Sequence, residues 1–413
     1  DIAWIGNIPS HWKIKHLRSY LRMVSDKGHP NETLLSVTRE QGVIVRNVES
    51  KEENHNFIPD DLTNYKLVKV GQFAINKMKS WQGSYAVSKF QGIVSPAYYV
   101  CELNFPNKDF FSWAIRSKSY IPFFTQYSKG IRVDQWDLSP IALKSIPFIE
   151  PPIEEQNSIV GFISDKVAKI DTLISKTEEE INLLNELKQA EVARLVTRGL
   201  NPNVQMKDSG ITWIGKIPAH WQIRKIKFLF EERTVKNHPN EPMLCATQAY
   251  GVIPQSLYDN RVVVVNTGFE NLKLVEEGDF VISLRSFQGG IEYAHYRGII
   301  SAAYTILRSN GVLSNDYTRY LFKCFPFIQL LKTCVKGIRE GQNINYDMLR
   351  NNFLFIPPKE EQKAIVSAIN ENNKKIDTLT SQLSNQITYL KELKQRVISD
   401  AVTGKIDVRD YKN

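Results

Sequence analysis

Trp4-Ile5-Gly6-Asn7-Ile8-Pro9-Ser10-His11-Trp12 stands near the start of the chain. Trp213-Ile214-Gly215-Lys216-Ile217-Pro218-Ala219-His220-Trp221 repeats it 209 residues later, with seven of nine positions identical. The same offset carries His29-Pro30-Asn31-Glu32 onto His238-Pro239-Asn240-Glu241, and Gly42-Val43-Ile44 onto Gly251-Val252-Ile253. Further along, the offset drifts to 206. Gly92-Ile93-Val94-Ser95-Pro96-Ala97-Tyr98 then matches Gly298-Ile299-Ile300-Ser301-Ala302-Ala303-Tyr304, and Ile170-Asp171-Thr172-Leu173 matches Ile376-Asp377-Thr378-Leu379. A period this long is no solenoid unit; it is a tandem duplication of a whole module.

Each module has two parts. The first, residues 1–150 or 210–356, is rich in aromatic and β-branched residues and punctuated by Gly and Asn. Val43–Val45, Phe73–Ile75, Tyr98–Val100, Arg261–Val265 and Phe280–Ile282 are expected to be short strands. Phe110–Tyr127 and Asp316–Val335 have helical apolar spacing. Each such part is expected to be a mixed α/β domain.

The character changes at Pro151-Pro152 and Pro357-Pro358, followed by Glu154-Glu155-Gln156 and Glu360-Glu361-Gln362. Proline suits the entry to a helix, and acidic residues suit its positive end. Apolar or near-apolar positions then recur at spacings of four and three. The first run is Ile163, Val167, Ile170, Ile174, Thr177, Ile181, Leu184, Lys188, Glu191 and Leu195. The second is Ile369, Asn373, Ile376, Thr380, Leu383, Ile387, Leu390, Lys394 and Val397. This is a heptad seam with polar interruptions, and a seam needs a partner. The equal phase favours the two helices packing on each other; the alternative is that each packs on its own domain. The expected organisation is 1–150 domain, 151–199 helix, 200–209 linker, 210–356 domain, and 357–413 helix and tail. The fold class is α+β, with a pseudo-two-fold duplication about an antiparallel two-helix coiled coil.

The 413 residues are 42% hydrophobic, 11% aromatic and 23% charged, which excludes a disordered or collagen-like chain. No run approaches 18 apolar residues, and the opening residues lack a basic start and apolar run, so neither a membrane span nor a secretory signal is expected. Four scattered cysteines suit a reducing cytoplasm and suggest no disulfide frame or zinc site. A net charge of +9 suggests a polyanionic partner.

Enzyme motifs are missing. Gly404-Lys405 resembles the end of a P-loop, but Ile406 follows, and Ser399 stands where the first Gly belongs. There is no GxGxxG run and no GxSxG elbow. His11 and His220 have no ligand cluster in the sequence, so they are expected to be structural hydrogen-bonding residues. Asp60 and Asp61 have no acidic counterpart near Thr267-Gly268, so they are expected in a turn.

Three loop-like segments recur with polar, basic and aromatic residues interleaved, and their side chains are the candidates for DNA contact. The first holds Lys77, Lys79, Trp81 and Gln82, matched by Arg285, Phe287 and Gln288. The second holds Arg132, Gln135 and Trp136, matched by Arg339, Gln342 and Asn343. The third holds Thr38 and Arg39, matched by Thr247, Gln248 and Tyr250. Arg can fork onto guanine, Gln or Asn onto adenine, and Lys or Arg can meet phosphates. The bland alternative is solvated turns with a few core aromatics. The frame is shared between copies while the side chains between differ, as two readers of unlike short sequences would.

Two modules, each opening with WIGxIPxHW, carrying a GI(V/I)SxAY segment and closing with PPxxEQ before a heptad helix, resemble the specificity subunit of a type I restriction-modification system. The resemblance covers essentially the whole chain; Ala302 departs from it where the first copy has Pro96. It implies two target-recognition domains separated by antiparallel helices, and a bipartite duplex DNA target with an unread gap. It implies no catalysis and no cofactor in this chain. S-adenosylmethionine, ATP and Mg would belong to partner subunits: two modification (methyltransferase) subunits and the ATP-dependent restriction subunits. It also implies that modification subunits sit against the helices. Phe162, Leu173, Leu183 and Leu187, off the main seam, suit that contact or packing against the flanking domains. The competing function is a coiled-coil adaptor joining two protein-binding modules; a nuclease or methylase in one chain is disfavoured by the missing motifs.

Overall fold

The computed structural model describes residues 5–47, 58–130, 136–258, 267–336, 343–409 and 411. By contacts the chain forms two compact units. Unit 1 is residues 1–177 with 385–413; unit 2 is residues 178–384. Each unit therefore takes one globular part, the half of a long helix that is joined to it, and half of the other long helix.

In unit 1 the core sheet is four-stranded and antiparallel, in the order Leu21–Val24, Tyr99–Leu103, Phe73–Ile75, Tyr85–Val87. Unit 2 repeats that order with Phe230–Arg233, Thr305–Ser309, Phe280–Ile282 and Glu292–Tyr293. Each unit adds a two-stranded hairpin, Leu35–Thr38 with Gly42–Val45 and Leu244–Thr247 with Gly251–Pro254. Each also pairs the strand that follows its opening motif with its last strand before the long helix: Lys13–His16 with Pro147–Glu150, and Gln222–Lys225 with Phe353–Ile356. The pairings of these strands are antiparallel and the helices lie outside the strand order, so the class is α+β. Within the expected linker, Met206–Asp208 pairs with Lys216–Pro218.

The two long apolar runs expected as single helices are each broken. Phe110–Tyr127 divides into Lys108–Ile115 and Ile121–Tyr127, and Asp316–Val335 into Asn315–Lys323 and Phe325–Thr333. The cause is a proline in the first turn of each second piece, Pro122 and Pro326. It has no N–H to donate backward to the preceding turn, so the first piece cannot run on through it. The first pieces start where a side chain caps them: Asn107 accepts from the Phe110 N–H, and Ser314 from the Tyr317 N–H. The expected strand at 261–265 lies outside the described residues. Asp61 does sit in a turn, its carboxylate accepting from the Thr63 N–H at 2.8 Å.

The long helices run over Ile153–Arg198 and Lys359–Val402, 46 and 44 residues. In unit 1, Ile159, Ile163 and Val167 from the opening turns of the first share one core with Ile398, Ala401 and Val402 from the closing turns of the second. In unit 2, Leu195 and Val196 share a core with Ile365 and Ile369. The helices are therefore antiparallel, and they pack on the domains and on each other together. Ile163, Val167, Ile170, Ile174, Ile369, Ile376, Ile387 and Leu390 are buried; Ile181, Leu184, Leu383 and Val397 are half-buried. At the end of the second helix the buried position moves to Ile398, as the seam gives way to the domain core.

The charged interruptions of the seam form cross-helix ion pairs. Lys394 donates to Asp171 at 2.7 Å in unit 1, and Lys188 to Asp377 at 2.6 Å in unit 2. These are the same pair twice, since the duplication maps Lys188 onto Lys394 and Asp171 onto Asp377. Of the residues off the seam, Leu173, Leu183 and Leu187 are exposed. Phe162 instead packs edge-on against Tyr411, with ring centroids 5.2 Å apart, and takes the packing alternative.

Candidate nucleic-acid interface

A clasp joins each opening motif to the start of a long helix. His11 and the Trp12 indole N–H both bond the Glu155 carboxylate, at 2.6 and 2.9 Å. His220 and Trp221 bond Glu361 at 2.7 and 3.1 Å. Both histidines are therefore structural. Each motif also receives the end of a long helix on a glycine with positive φ. A Cβ on Gly404 would come within 2.5 Å of Pro9, and one on Gly199 within 2.7 Å of Glu361. The glutamines of the PPxxEQ motif, which the sequence reading left without a role, are buried beside this clasp. Gln156 donates to the Pro151 carbonyl, and Gln362 to that of Pro357.

The third candidate segment is the hairpin turn. The Thr38 hydroxyl donates to the Gly42 carbonyl and accepts from the Gln41 N–H; Thr247 does the same with Gly251 and Tyr250. These two hydroxyls build the turn. The exposed side chains on it are Arg39, paired to Glu40 at 3.2 Å, and Gln248 and Tyr250.

The first segment closes in a short helical turn, Ser80–Gln82 or Ser286–Gly289. Lys77, expected to meet phosphate, is half-buried and donates to Asp137 at 2.7 Å. That bond raises its pKa, so it stays charged but is already neutralised. Its neighbours differ: Lys79 and its counterpart Arg285 are exposed, as is Gln288, while Gln82 and Phe287 are half-buried. Trp81 meets Trp136 with ring centroids 5.5 Å apart, and the Leu138 N–H bonds the Lys77 carbonyl. The first and second segments of unit 1 are thus brought together. In unit 2 exposed Asn343 lies beside the Ser286–Gly289 turn, and Gly289 packs so closely on Gln248 that a Cβ would approach within 2.6 Å. Arg132, Gln135, Arg339 and Gln342 lie outside the described residues.

The sequence reading missed what ties these segments down. Arg116 donates to the carbonyls of Tyr85, Arg39 and Glu40. Lys323, at the equivalent end of its helix, donates to the Gln248 carbonyl and to Glu292. Burial lowers the Arg116 pKa and raises that of Glu292. A cation at this place in both copies was the available signal. Among the described residues there is no His/Cys/Asp/Glu group that would hold a metal, and no helix is long and apolar enough to cross a membrane. All four cysteines are buried, and burial pushes the Cys101 thiol up to about 12, which leaves it inert.

Residues 218–389 match the family model described as type I restriction modification DNA specificity domain. The chain is 23% identical to the protein named as the MjaX type I restriction enzyme specificity subunit of Methanocaldococcus jannaschii, over 98% of this chain and 96% of that one. It is 22% identical to the EcoKI specificity subunit of Escherichia coli K12, over 74% of this chain and 68% of that one. A solved structure described as the basis of complex assembly and conformational transition of the type I R-M system shares the fold. Its TM-score is 0.64 at 16% identity, covering 97% of this chain and all of that one. The HsdS subunit of Thermoanaerobacter tengcongensis gives a TM-score of 0.51 at 16% identity, covering 97% of this chain and 98% of that one.

Proposed function

We propose that the chain, which is similar over nearly its whole length to type I restriction-modification specificity proteins, acts as such a subunit, each of its units reading one half of a bipartite duplex DNA target. The observation that carries the proposal is the contrast inside the duplication. Strand order, hairpin hydroxyls, helix clasp and cross-helix ion pair recur, while the exposed side chains differ: Lys79 against Arg285, and Gln41 against Tyr250. Two like frames with unlike exposed tips suit two short, unlike sequences. Exposed Arg and Lys meet phosphate or guanine, and exposed Gln meets adenine.

The antiparallel helices hold the two readings at a fixed spacing and leave a gap unread. Methyl transfer and ATP-driven cleavage belong to separate subunits in the cytoplasm. Two modification subunits, carrying S-adenosylmethionine, dock on the outer helix faces at exposed Leu173, Leu183, Leu187, Leu379 and Tyr389. The restriction subunits carry ATP and Mg. In this scheme the chain itself recognises and scaffolds.

The test lengthens the spacer. One heptad inserted into both helices, at 177/178 and 384/385, keeps the seam in phase and adds about 10 Å to each. Mapping of methylated sites should then show both half-sequences retained and the gap longer by about three base pairs, at about 3.4 Å each. An unchanged gap, or altered half-sequences, would refute the spacer.

A further inference from the structure

In each unit a cleft lies against the hairpin turn. It is walled by the last strand of the four-stranded sheet and by the helix whose terminal cation holds the turn. In unit 2 it has a volume of about 860 Å³ and is lined by Tyr250, Tyr293, His295, Tyr296, Arg319 and Tyr320, among others. The equivalent cleft in unit 1, about 410 Å³, is lined by Gln41, Val87, Lys89, Phe90, Ser112 and Trp113 at the matching positions. Ala86 and Glu292 also correspond. Among the positions lining both clefts, only Ile44 and Ile253 are identical.

The surrounding frame behaves differently. Thr38 and Thr247 close the turn in the same way, Gly42 and Gly251 both hold positive φ, and Arg116 and Lys323 both bond turn carbonyls. A lining kept only for packing conserves volume and polarity. This one exchanges Val87 for Tyr293, Ala86 for Glu292 and Ser112 for Arg319.

The unit 2 lining carries polar and aromatic recognition chemistry, and Arg319, 43% exposed, is paired to Asp316 at 3.7 Å. Tyr250 and Tyr296 are 62% and 44% exposed. The Arg319 guanidinium lies 4.8 Å from the Tyr293 ring centroid, and His295 meets that ring at 4.9 Å. Glu292 is 2% exposed; Lys323 bonds one of its oxygens, and the other has no partner among the described residues. A buried acceptor left unmatched is costly, so it marks a place where a donor belongs. Duplex DNA presents such donors as the exocyclic amino groups of cytosine and adenine.

We infer that these paired clefts are the specificity-determining surfaces of the two units, and that the cleft of unit 2 takes amino-bearing base edges of its half-sequence; this rests on the DNA-reading role proposed above. Tyr250, His295 and Arg319 are the residues that set the choice. The turn and its terminal cation only position them.

The experiment uses the full chain assembled with its modification subunits and selects duplexes from a randomised pool. The variant Tyr250→Gln/His295→Lys/Arg319→Ser places the unit 1 residues in unit 2. It should relax or change one half-sequence, with at least a tenfold loss on the original target, and keep the other half and the melting temperature. The reverse variant, Gln41→Tyr/Lys89→His/Ser112→Arg, should change only the other half. Arg319→Ser alone, on an exposed helix face, guards against a folding defect and should weaken selection at the same half. An unchanged selected sequence, or an equal loss on every duplex, overturns the inference. A wild-type complex that selects no sequence at all brings down the DNA-reading role instead, and is recognised as such before any variant is compared.

Discussion

Unit 1 and unit 2 share one frame, yet they solve two buried positions with opposite chemistry. Where unit 1 buries neutral Gln72 and Ala86, unit 2 buries the carboxyls of Asp279 and Glu292. Gln72 donates to Glu102 and accepts from the Lys69 N–H. Asp279 is answered instead by Arg233 at 3.1 Å and the Glu276 N–H at 2.8 Å, and Arg233 and Arg297 both bond the Glu276 carboxylate. The shared parts are those that any copy needs to attach to the helices. The unlike parts are free to diverge because each unit closes its own core, so a change in one does not have to be matched in the other.

The equivalence is tested hardest at the clasp. Trp12 and Trp221 are both buried and both bond a helix-start glutamate. Replacing either by Ala should cost about 3–5 kcal/mol in denaturant unfolding. A silent Trp12→Ala beside a damaging Trp221→Ala would break the symmetry of the two docking sites.

Arg233→Ala sharpens the difference. It strands the Asp279 carboxyl, whose side chain is 3% exposed. The expected loss is roughly 2–3 kcal/mol, measured by hydrogen exchange of the unit 2 sheet in the full chain. Protection of the unit 1 sheet should not move.

The same two carboxyls predict a pH response confined to unit 2. Burial raises the pKa of both Asp279 and Glu292, against the pull of Arg233 and Lys323. Between the ordinary and the raised value, the folded state holds protons that the unfolded chain has released. Stability from these groups is thus full below the ordinary carboxylate range and falls as pH rises through the raised values. Glu276 acts with the opposite sign: burial pushes it up, but Arg233 and Arg297 hold it low. Asp279→Asn combined with Glu292→Gln should flatten the decline in unit 2 protection with rising pH. An identical pH profile in the double variant would contradict this.

A smaller effect separates exposed from neutralised cations. Lys79→Ala and Arg285→Ala should each lower the salt dependence of DNA binding by about one unit of log–log slope. Lys77→Ala should lower it less, because Asp137 already balances that charge. Equal changes at Lys77 and Lys79 would show that the Asp137 pair opens on DNA. The smallest effect belongs to the seam. Lys188→Ala and Lys394→Ala remove pairs to half-exposed aspartates and should each cost about 0–1 kcal/mol, equally.

By itself the sequence determined the duplication, the class and the helix seam. Repetition and a four–three apolar period are local properties of the chain, and burial follows them at Ile163, Ile174 and Ile376. It also determined the turn at Asp61 and the structural part played by His11 and His220, from the absence of other ligand types around them. The breaks at Pro122 and Pro326 were readable too, but apolar periodicity outweighed a single proline. Tertiary structure alone decided which polar side chains were already spent. Lys77 reads as a free cation until Asp137, 60 residues away, closes on it, and Thr38 reads as a contact until the hairpin takes its hydroxyl. It alone decided that Lys394 answers Asp171 across 223 residues, and that ten scattered positions line one cleft in each unit. A hydrogen bond or a cleft wall depends on which distant segments meet, and the order of residues along a chain does not carry that distance.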